Sequence, residues 1–262
     1  MISQITNYHT HTVRCHHATG TEREYVEKAI QNGFTVLGFS EHMAWPLTEA
    51  RLTKGRLAVS ELEEYCTTVQ QLKKEYADQI HIYLGGECEY FPDCYPWLLE
   101  QKERFGMDYL IFGCHYPMKE AAQHEFASSK TPEMLQYYTE LALAGMETGY
   151  FRCLCHPDLP LKGYPVFDSY ARTMCEDICK TAKKLDLTLE YNVRGYQKHG
   201  RVKGMGYTSE EFWRIAAECG CTAIVGIDAH ALEDLNKECV QEAQQRLTEW
   251  GVKVISRFPG LE

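Results

Sequence analysis

Short apolar runs alternate with longer segments of helical periodicity along the whole chain. The runs are rich in β-branched and aromatic residues, and each has the length of a strand buried on both faces. Eight such runs are found, at residues 5–8, 36–39, 82–85, 109–112, 151–154, 187–191, 223–227 and 252–255. Strands that alternate with helices in this way predict a parallel sheet covered by helices.

The segments between these runs carry signals for the start of a helix. Thr21, Ser60 and Thr208 each stand three residues before a glutamate, which is the spacing of a capping box. Thr131 is followed by Pro132. Threonine is favoured at the N-cap and proline at the first helical position, so this pair also predicts the start of a helix. After Thr208, apolar residues recur with helical spacing and form one stripe that suits packing on a sheet. They are Phe212, Ile215, Ala216 and Cys219.

The organisation of the chain favours one closed barrel. No change of composition and no linker divides residues 1–262, so we expect a single domain. Neither a GxGxxG segment after the first strand nor a GxxxxGK[ST] segment occurs, which removes the best evidence for an open nucleotide-binding sheet. We therefore predict an α/β fold of the TIM-barrel type, in which functional groups lie where the strands end.

The composition limits which classes of binding partner and which cellular compartment we expect. The 27 lysines and arginines against 37 acidic residues give a net charge of −10, which repels nucleic-acid backbones. No run approaches the roughly 18 apolar residues of a membrane-spanning helix, and the first residues lack the pattern of a secretory signal. The 12 cysteines are scattered, as expected for reduced thiols. We expect a cytoplasmic protein with neither a nucleic-acid nor a membrane partner; nothing indicates an oligomeric state.

Imidazoles and carboxylates follow six of the predicted strands. The carboxyl ends of parallel strands share one rim of a barrel, so these groups are expected to converge. A lone histidine is more often structural, but repetition at six strand ends predicts a divalent metal site, in which a carboxylate can bridge two ions. In the two pairs spaced i, i+2, both side chains point the same way. The residues are His9, His11, His42, Glu87, His115, His156, Asp228 and His230.

These motifs resemble the PHP (polymerase and histidinol phosphatase) family from residue 7 to residue 256. They are Tyr8-His9-Thr10-His11, Ser40-Glu41-His42, Gly86-Glu87, Gly113-Cys114-His115, Cys155-His156-Pro157-Asp158 and Ile227-Asp228-Ala229-His230. The stretch from His11 to His17 is similar to one in the histidinol-phosphate phosphatase branch. The resemblance implies a distorted (β/α)7 barrel that holds up to three divalent ions, with zinc, manganese, iron and cobalt all compatible.

The resemblance also implies how nine ligands are shared among three ions. The first ion takes His9, His11, Glu87 and Asp228; the second takes Glu87, His115 and His156; the third takes His17, His42 and His230. His17 is preferred to His16 because the family ligand lies six residues after the second histidine of the HxH motif. Glu41 is either an orienting partner for a ligand or a surface carboxylate.

The implied reaction is the hydrolysis of L-histidinol phosphate to L-histidinol and phosphate. Our hypothesis is that a metal-bound hydroxide, bridging the two ions joined by Glu87, attacks phosphorus in line while the third ion holds the phosphate. The leaving oxygen then needs an acid, for which Asp228 and His230 are both candidates. The predicted catalytic residues are therefore Glu87, Asp228 and His230.

A basic segment after the sixth strand is the candidate phosphate-binding element. Its cations are Arg194, Lys198 and Arg201, although a solvated basic loop would have the same composition. The histidinol-phosphate phosphatase branch has an N-x-x-G-x-R pattern here, and this chain has Gln197 in place of that arginine. A PHP phosphoesterase for another small phosphate ester is therefore the alternative. A non-catalytic metal-binding module would be expected to lack ligands, whereas every expected position is filled.

Overall fold

Eight parallel strands form one sheet in chain order. The structure is a computed structural model that describes residues 4–47, 55–116, 125–195 and 207–261. All eight predicted runs are strands, with their ends displaced by three residues at most. The strands are β1 (Thr6–Asn7), β2 (Val36–His42), β3 (His81–Cys88), β4 (Tyr109–Phe112), β5 (Cys153–Leu154), β6 (Thr188–Asn192), β7 (Thr222–Gly226) and β8 (Lys253–Ile255).

One long helix lies in each connection between consecutive strands. The helices are α1 (Glu22–Gln31), α2 (Leu62–Glu75), α3 (Tyr95–Arg104), α4 (Pro132–Glu147), α5 (Ser169–Leu185), α6 (Glu210–Glu218) and α7 (Lys237–Glu249). Thr21 makes the predicted capping box at the start of α1, and Thr131 caps α4. The buried residues of each helix recur with helical spacing, so each helix covers the sheet with one apolar face.

Two predicted helix starts were wrong. Ser60 lies in a short 3-10 turn (Val59–Glu61) that precedes α2, so it does not cap the α-helix. The Thr208 hydroxyl donates to the Tyr191 hydroxyl at 3.0 Å. Because Thr208 is engaged there, Ser209 caps α6 in its place. In both cases the N-cap lies one residue later than predicted, at Glu61 and at Ser209.

The sheet closes into a barrel at the carboxyl ends of its strands. Ala229, just after β7, donates from its N–H to the His9 carbonyl at 3.1 Å, and the His11 N–H donates to the Ala229 carbonyl at 2.9 Å. These bonds join β1 directly to β7. β8 pairs with β7 through Thr222–Ile224, at the opposite end. The predicted distorted TIM-like barrel is confirmed.

Buried apolar side chains form two separate clusters. One lies between the sheet and the helices, and the other fills the inside of the barrel below the closed rim. Tyr109 stands at its centre, and its hydroxyl donates to the Tyr8 carbonyl at 2.6 Å. Gly38 leaves the space for this ring, since a Cβ there would meet the Tyr109 hydroxyl and lie 2.9 Å from Tyr8 Cα. The interior below the rim is therefore packed with aromatic and aliphatic side chains.

All 12 cysteines are free thiols, and nine of them are buried. They pack as small apolar side chains within the core. None of the helices in the described segments is both long and apolar enough to cross a lipid bilayer.

The contact between Gly38 and Tyr109 gives a stability prediction. Gly38→Ala is expected to lower the free energy of unfolding by about 1–3 kcal/mol, because the added methyl group overpacks a filled interior. Urea denaturation followed by circular dichroism measures the change. The control is Lys184→Ala on the exposed face of α5, which should stay within about 0.5 kcal/mol of wild type. An unchanged urea midpoint for Gly38→Ala would contradict the packing described.

Candidate metal centre

All nine residues predicted as metal ligands lie in one continuous cluster at the closed rim. They follow or end six different strands, so the fold brings together residues that are up to 221 positions apart in the sequence. The shared rim is the reason, because every strand runs in the same direction. The nine are His9, His11, His17, His42, Glu87, His115, His156, Asp228 and His230.

Three pairs of imidazoles face each other through their Nε2 atoms. The separations are 3.0 Å for His9 and His11, 3.2 Å for His115 and His156, and 3.0 Å for His17 and His230. Two neutral imidazole nitrogens that both point lone pairs at each other repel, so each pair needs a proton or a cation close by. Each pair belongs to a different one of the three predicted ion sites.

Glu87 lies between the first two pairs. Its Oε1 is 3.0 Å from His156 Nε2 and 3.2 Å from His115 Nε2. Its Oε2 is 3.4 Å from His9 Nε2 and 3.5 Å from His11 Nε2. Oε2 is buried and makes no hydrogen bond of good geometry. This carboxylate is therefore placed to serve two ions at once, with one oxygen for each.

Asp228 and His42 connect the remaining groups. Asp228 Oδ1 lies 3.4 Å from His11 Nε2 and 3.6 Å from His9 Nε2, beside the first pair. The ring of His42 stacks on His11 with centroids 4.2 Å apart and on His17 at 5.2 Å. His42 Nδ1 is also 2.9 Å from Glu87 Oε2. His42 thus stands between the first and third predicted sites.

Two of these residues hold unusual backbone conformations. His156 has φ 33° and Asp228 has φ 56°, in the left-handed region that costs a non-glycine residue of order 1–3 kcal/mol. Neighbouring hydrogen bonds hold both turns. The His156 N–H donates to Glu190 Oε2 at 3.2 Å, and the Ile227 N–H donates to Asn7 Oδ1 at 2.9 Å. The site therefore retains local strain that the surrounding structure offsets.

Buried carboxylates orient the imidazoles from behind. Glu190 Oε1 lies 2.7 Å from His9 Nδ1, and Glu41 Oε2 lies 3.7 Å from His11 Nδ1. Both carboxylates are buried, so the surface alternative for Glu41 is wrong. Glu190 is close enough to hold the proton on His9 Nδ1 and leave Nε2 to bind a cation, whereas Glu41 and His11 Nδ1 lie too far apart for a hydrogen bond. The sequence analysis missed Glu190, although a charged residue within an apolar strand was a usable signal.

Burial and neighbouring charges shift the pKa of several carboxyl and imidazole groups in the cluster. Burial lowers the pKa of His11 and of His42 to about 3, and neighbouring imidazoles add to the effect. Burial alone would raise the pKa of Glu87 and of Asp228, but the surrounding imidazoles hold both well below their ordinary value. Ionised carboxylates therefore face neutral imidazoles at His11 and His42. At His9 and His115 the neighbouring carboxylates outweigh burial and raise the imidazole pKa, to about 10 for His115.

Imidazole nitrogens and carboxylate oxygens are the donors that zinc, manganese and iron prefer. The facing nitrogens, and the buried Oε2 of Glu87 with three imidazole nitrogens within 3.5 Å, both fit cations at these positions. The residues present therefore suit divalent metal ions at a multinuclear site.

A cleft of about 670 Å³ opens onto the cluster. Arg56, Lys162 and Arg194 line it together with two tyrosines, so cations stand beside the candidate metal site. Arg194 Nη1 donates to the Asp228 carbonyl at 3.3 Å, which fixes the guanidinium at the rim. Of the predicted phosphate-binding cations, Lys198 and Arg201 lie outside the described residues. Sequence reasoning had not singled out Arg56 or Lys162.

A family model described as the PHP domain matches residues 7–194, which is most of the chain. The chain belongs to the PHP family. The resemblance drawn from the sequence motifs is thereby confirmed. The matched segment runs from β1 to just beyond β6, so it includes seven of the nine candidate ligands of this PHP protein.

Two relatives carry a related description. A protein of Deinococcus radiodurans, described as a probable histidinol-phosphatase, is 29% identical over 239 residues, covering 85% of each chain. The histidinol-phosphatase of Bacillus subtilis is 35% identical over 89 residues, which cover 32% of this chain and 33% of that protein.

The solved structures show the same fold. The histidinol phosphate phosphatase of Lactococcus lactis, in complex with zinc, L-histidinol and phosphate, superposes with a TM-score of 0.76 at 19% identity, covering 97% of both chains. A histidinol phosphatase homologue from Listeria monocytogenes superposes with a TM-score of 0.69 at 21% identity, covering 87% of this chain and 96% of that one.

Adjacent histidines provide a matched pair for testing the third group of ligands. His17 Nε2 faces His230 Nε2, whereas the His16 side chain is 57% exposed and lies 3.9 Å from Glu61. We expect His17→Ala to lower kcat/KM for a phosphate ester by about 100-fold or more, since the loss of a directly binding group costs several kcal/mol. His16→Ala should stay within about threefold of wild type. Equal losses in the two variants would contradict the assignment of His17.

Proposed function

We propose that this PHP protein is a metal-dependent phosphatase that hydrolyses L-histidinol phosphate to L-histidinol and phosphate. In this proposal residues 1–262 form one catalytic domain that acts in the cytoplasm. The observation that carries the proposal is the position of Glu87, whose two oxygens face two separate imidazole pairs at the floor of a cleft lined by cations. The descriptions of the relatives support the choice of substrate.

The cluster would hold three divalent ions. His9, His11 and Asp228 would bind the first, His115 and His156 the second, with Glu87 shared between them, and His17, His42 and His230 would bind the third. When bound, such ions lower the pKa of water, polarise phosphoryl oxygens and neutralise charge that develops in hydrolysis. Phosphate monoesters are among the slowest substrates to react unaided, which is why this chemistry is needed.

The phosphate would lie at the rim next to Arg194. The guanidinium lines the cleft and is held by the Asp228 carbonyl, so it is fixed within reach of the same ligands. Arginine binds phosphate oxygens in a forked geometry that also orients the group. Lys198 and Arg201 remain predicted helpers in the same role.

Asp228 and His230 remain the candidates for protonating the leaving oxygen. Asp228 Oδ2 accepts from Asn192 Nδ2 at 3.3 Å, and both candidates line the cleft. His230 Nδ1 lies 2.9 Å from the Asp228 carbonyl oxygen, so its proton is directed at the backbone. The pKa of Asp228 lies well below its usual range, because the imidazoles around it outweigh its burial, so this carboxylate would first have to gain a proton to act as the acid. Both side chains also serve as proposed ligands, so their catalytic roles are tested together with metal binding.

A second candidate function is hydrolysis of another small phosphate ester. Gln197 stands where the branch usually has an arginine, and this favours keeping the alternative. The loss of one forked contact would weaken binding of one particular substrate more than it would weaken the metal centre.

Phosphate release separates the two candidates. Metal-replete protein is assayed with L-histidinol phosphate, p-nitrophenyl phosphate and a nucleotide monophosphate, beside His9→Ala and a chelator-treated sample. We expect kcat/KM for L-histidinol phosphate to exceed the others by about 100-fold or more, since several matched polar contacts discriminate on this scale. The activity should be lost in both controls. Weak and unselective release that still requires His9 would overturn the choice of substrate, and full activity of His9→Ala would overturn the metal-dependent mechanism.

A further inference from the structure

A buried carboxylate outside the nine proposed ligands lies against one of them. Glu89 is two residues beyond Glu87 and is 3% exposed. Its Oε1 lies 3.4 Å from His115 Nδ1. His115 Nε2, on the other side of the ring, is 3.2 Å from Glu87 Oε1 and 3.2 Å from His156 Nε2. The imidazole is therefore held between Glu89 and the proposed second ion.

The other oxygen of Glu89 is fully engaged. Arg56 Nη1 donates to Glu89 Oε2 at 2.7 Å, and Trp45 Nε1 donates to the same oxygen at 2.8 Å. Arg56 is itself 3% exposed and also contacts the Met43 carbonyl at 3.4 Å. Two charges removed from water in this way are tolerated when they are paired with each other. With Oε2 held on this side, Glu89 presents only Oε1 to His115.

The hydrogen-bond partners of Glu89 differ from those of Glu41 and Glu190, the carboxylates that lie behind His11 and His9. Glu41 accepts from the main chain and the hydroxyl of Thr12, and Glu190 accepts from the main chain of His156 and the amide of Asn192. Within the described segments, Glu89 alone among these three is paired with a guanidinium. The pair also blocks another arrangement, in which Glu89 would turn toward the cluster and compete with Glu87 for an ion.

We propose that Arg56 and Glu89 form a positioning pair for His115. The pair directs the Nδ1 proton of His115 to Glu89 and leaves the Nε2 lone pair for the ion that Glu87 shares. Arg56 acts through Glu89, and Glu89 acts through His115, so neither needs to touch the substrate. The inference rests on the proposed function, because it assumes an ion at His115, His156 and Glu87.

Glu89→Gln separates the positioning role from a structural one. The amide keeps the shape and can still accept from Arg56 and Trp45, but it then turns an N–H donor toward His115 Nδ1. His115 must accept that bond through Nδ1 and carry its own proton on Nε2, where the ion needs a lone pair. We expect the affinity of the second ion to fall by about 10- to 100-fold, as it does when other outer carboxylate partners of metal-binding histidines are lost.

Two further variants, Arg56→Met and Arg56→Met/Glu89→Gln, separate an effect on stability from an effect on ion binding. Arg56→Met leaves a buried carboxylate without its cation, so its melting temperature should fall. Arg56→Met/Glu89→Gln removes both charges and should recover much of that loss. If the pair positions His115, the double variant still lacks the second ion. If the pair is merely structural, ion content recovers together with stability.

The experiment counts ions per chain by mass spectrometry after dialysis against a fixed free zinc concentration, and records the melting temperature of each sample. The matched control is Glu125→Gln. Glu125 lines the cleft but is not a proposed ligand, so this variant should hold as many ions as wild type. Glu89→Gln and the double variant should each hold one ion fewer. A full ion count in both would overturn the positioning role while leaving the proposed function intact. Wild-type protein that holds no ion would overturn the proposed function and this inference together.

Discussion

Three imidazole pairs held about 3 Å apart, nitrogen facing nitrogen, are the constraint on which the rim of this barrel depends. Such an arrangement is repulsive unless a proton or a cation lies between the nitrogens. Glu87 and Asp228 bring negative charge to the same place, and burial keeps His11 and His42 neutral. A cluster of divalent ions satisfies all of these groups at once.

The remainder of the fold keeps these groups in place. The main-chain bonds of Ala229 close the rim between β1 and β7, and Asn7 ties the two strand ends together below it. Buried carboxylates then orient individual rings from behind, as Glu190 does for His9. The filled aromatic interior lies directly under the rim, and the cleft opens on the side of the candidate ligands. Positioning therefore comes from the scaffold before any ligand binds.

Much of this arrangement was predictable because it depends on local sequence patterns. The apolar runs fixed the eight strands to within three residues, and a parallel sheet places all strand ends at one rim. The candidate ligands could be recognised since their residue types repeat at those ends. The start of α6 was missed because Thr208 bonds to Tyr191, a residue 17 positions away. Glu89 acts through contacts that only the folded chain creates, and no local pattern marks it, whereas Glu190 carries a usable signal as a charged residue within an apolar strand.

Anomalous X-ray diffraction from crystals grown with zinc and phosphate would locate ions at this rim. Three anomalous peaks are expected there. Two of them should lie on either side of Glu87, one near His9 and His11 and the other near His115 and His156, with the third near His17 and His230. A single peak, or peaks away from these residues, would contradict a metal centre built around Glu87.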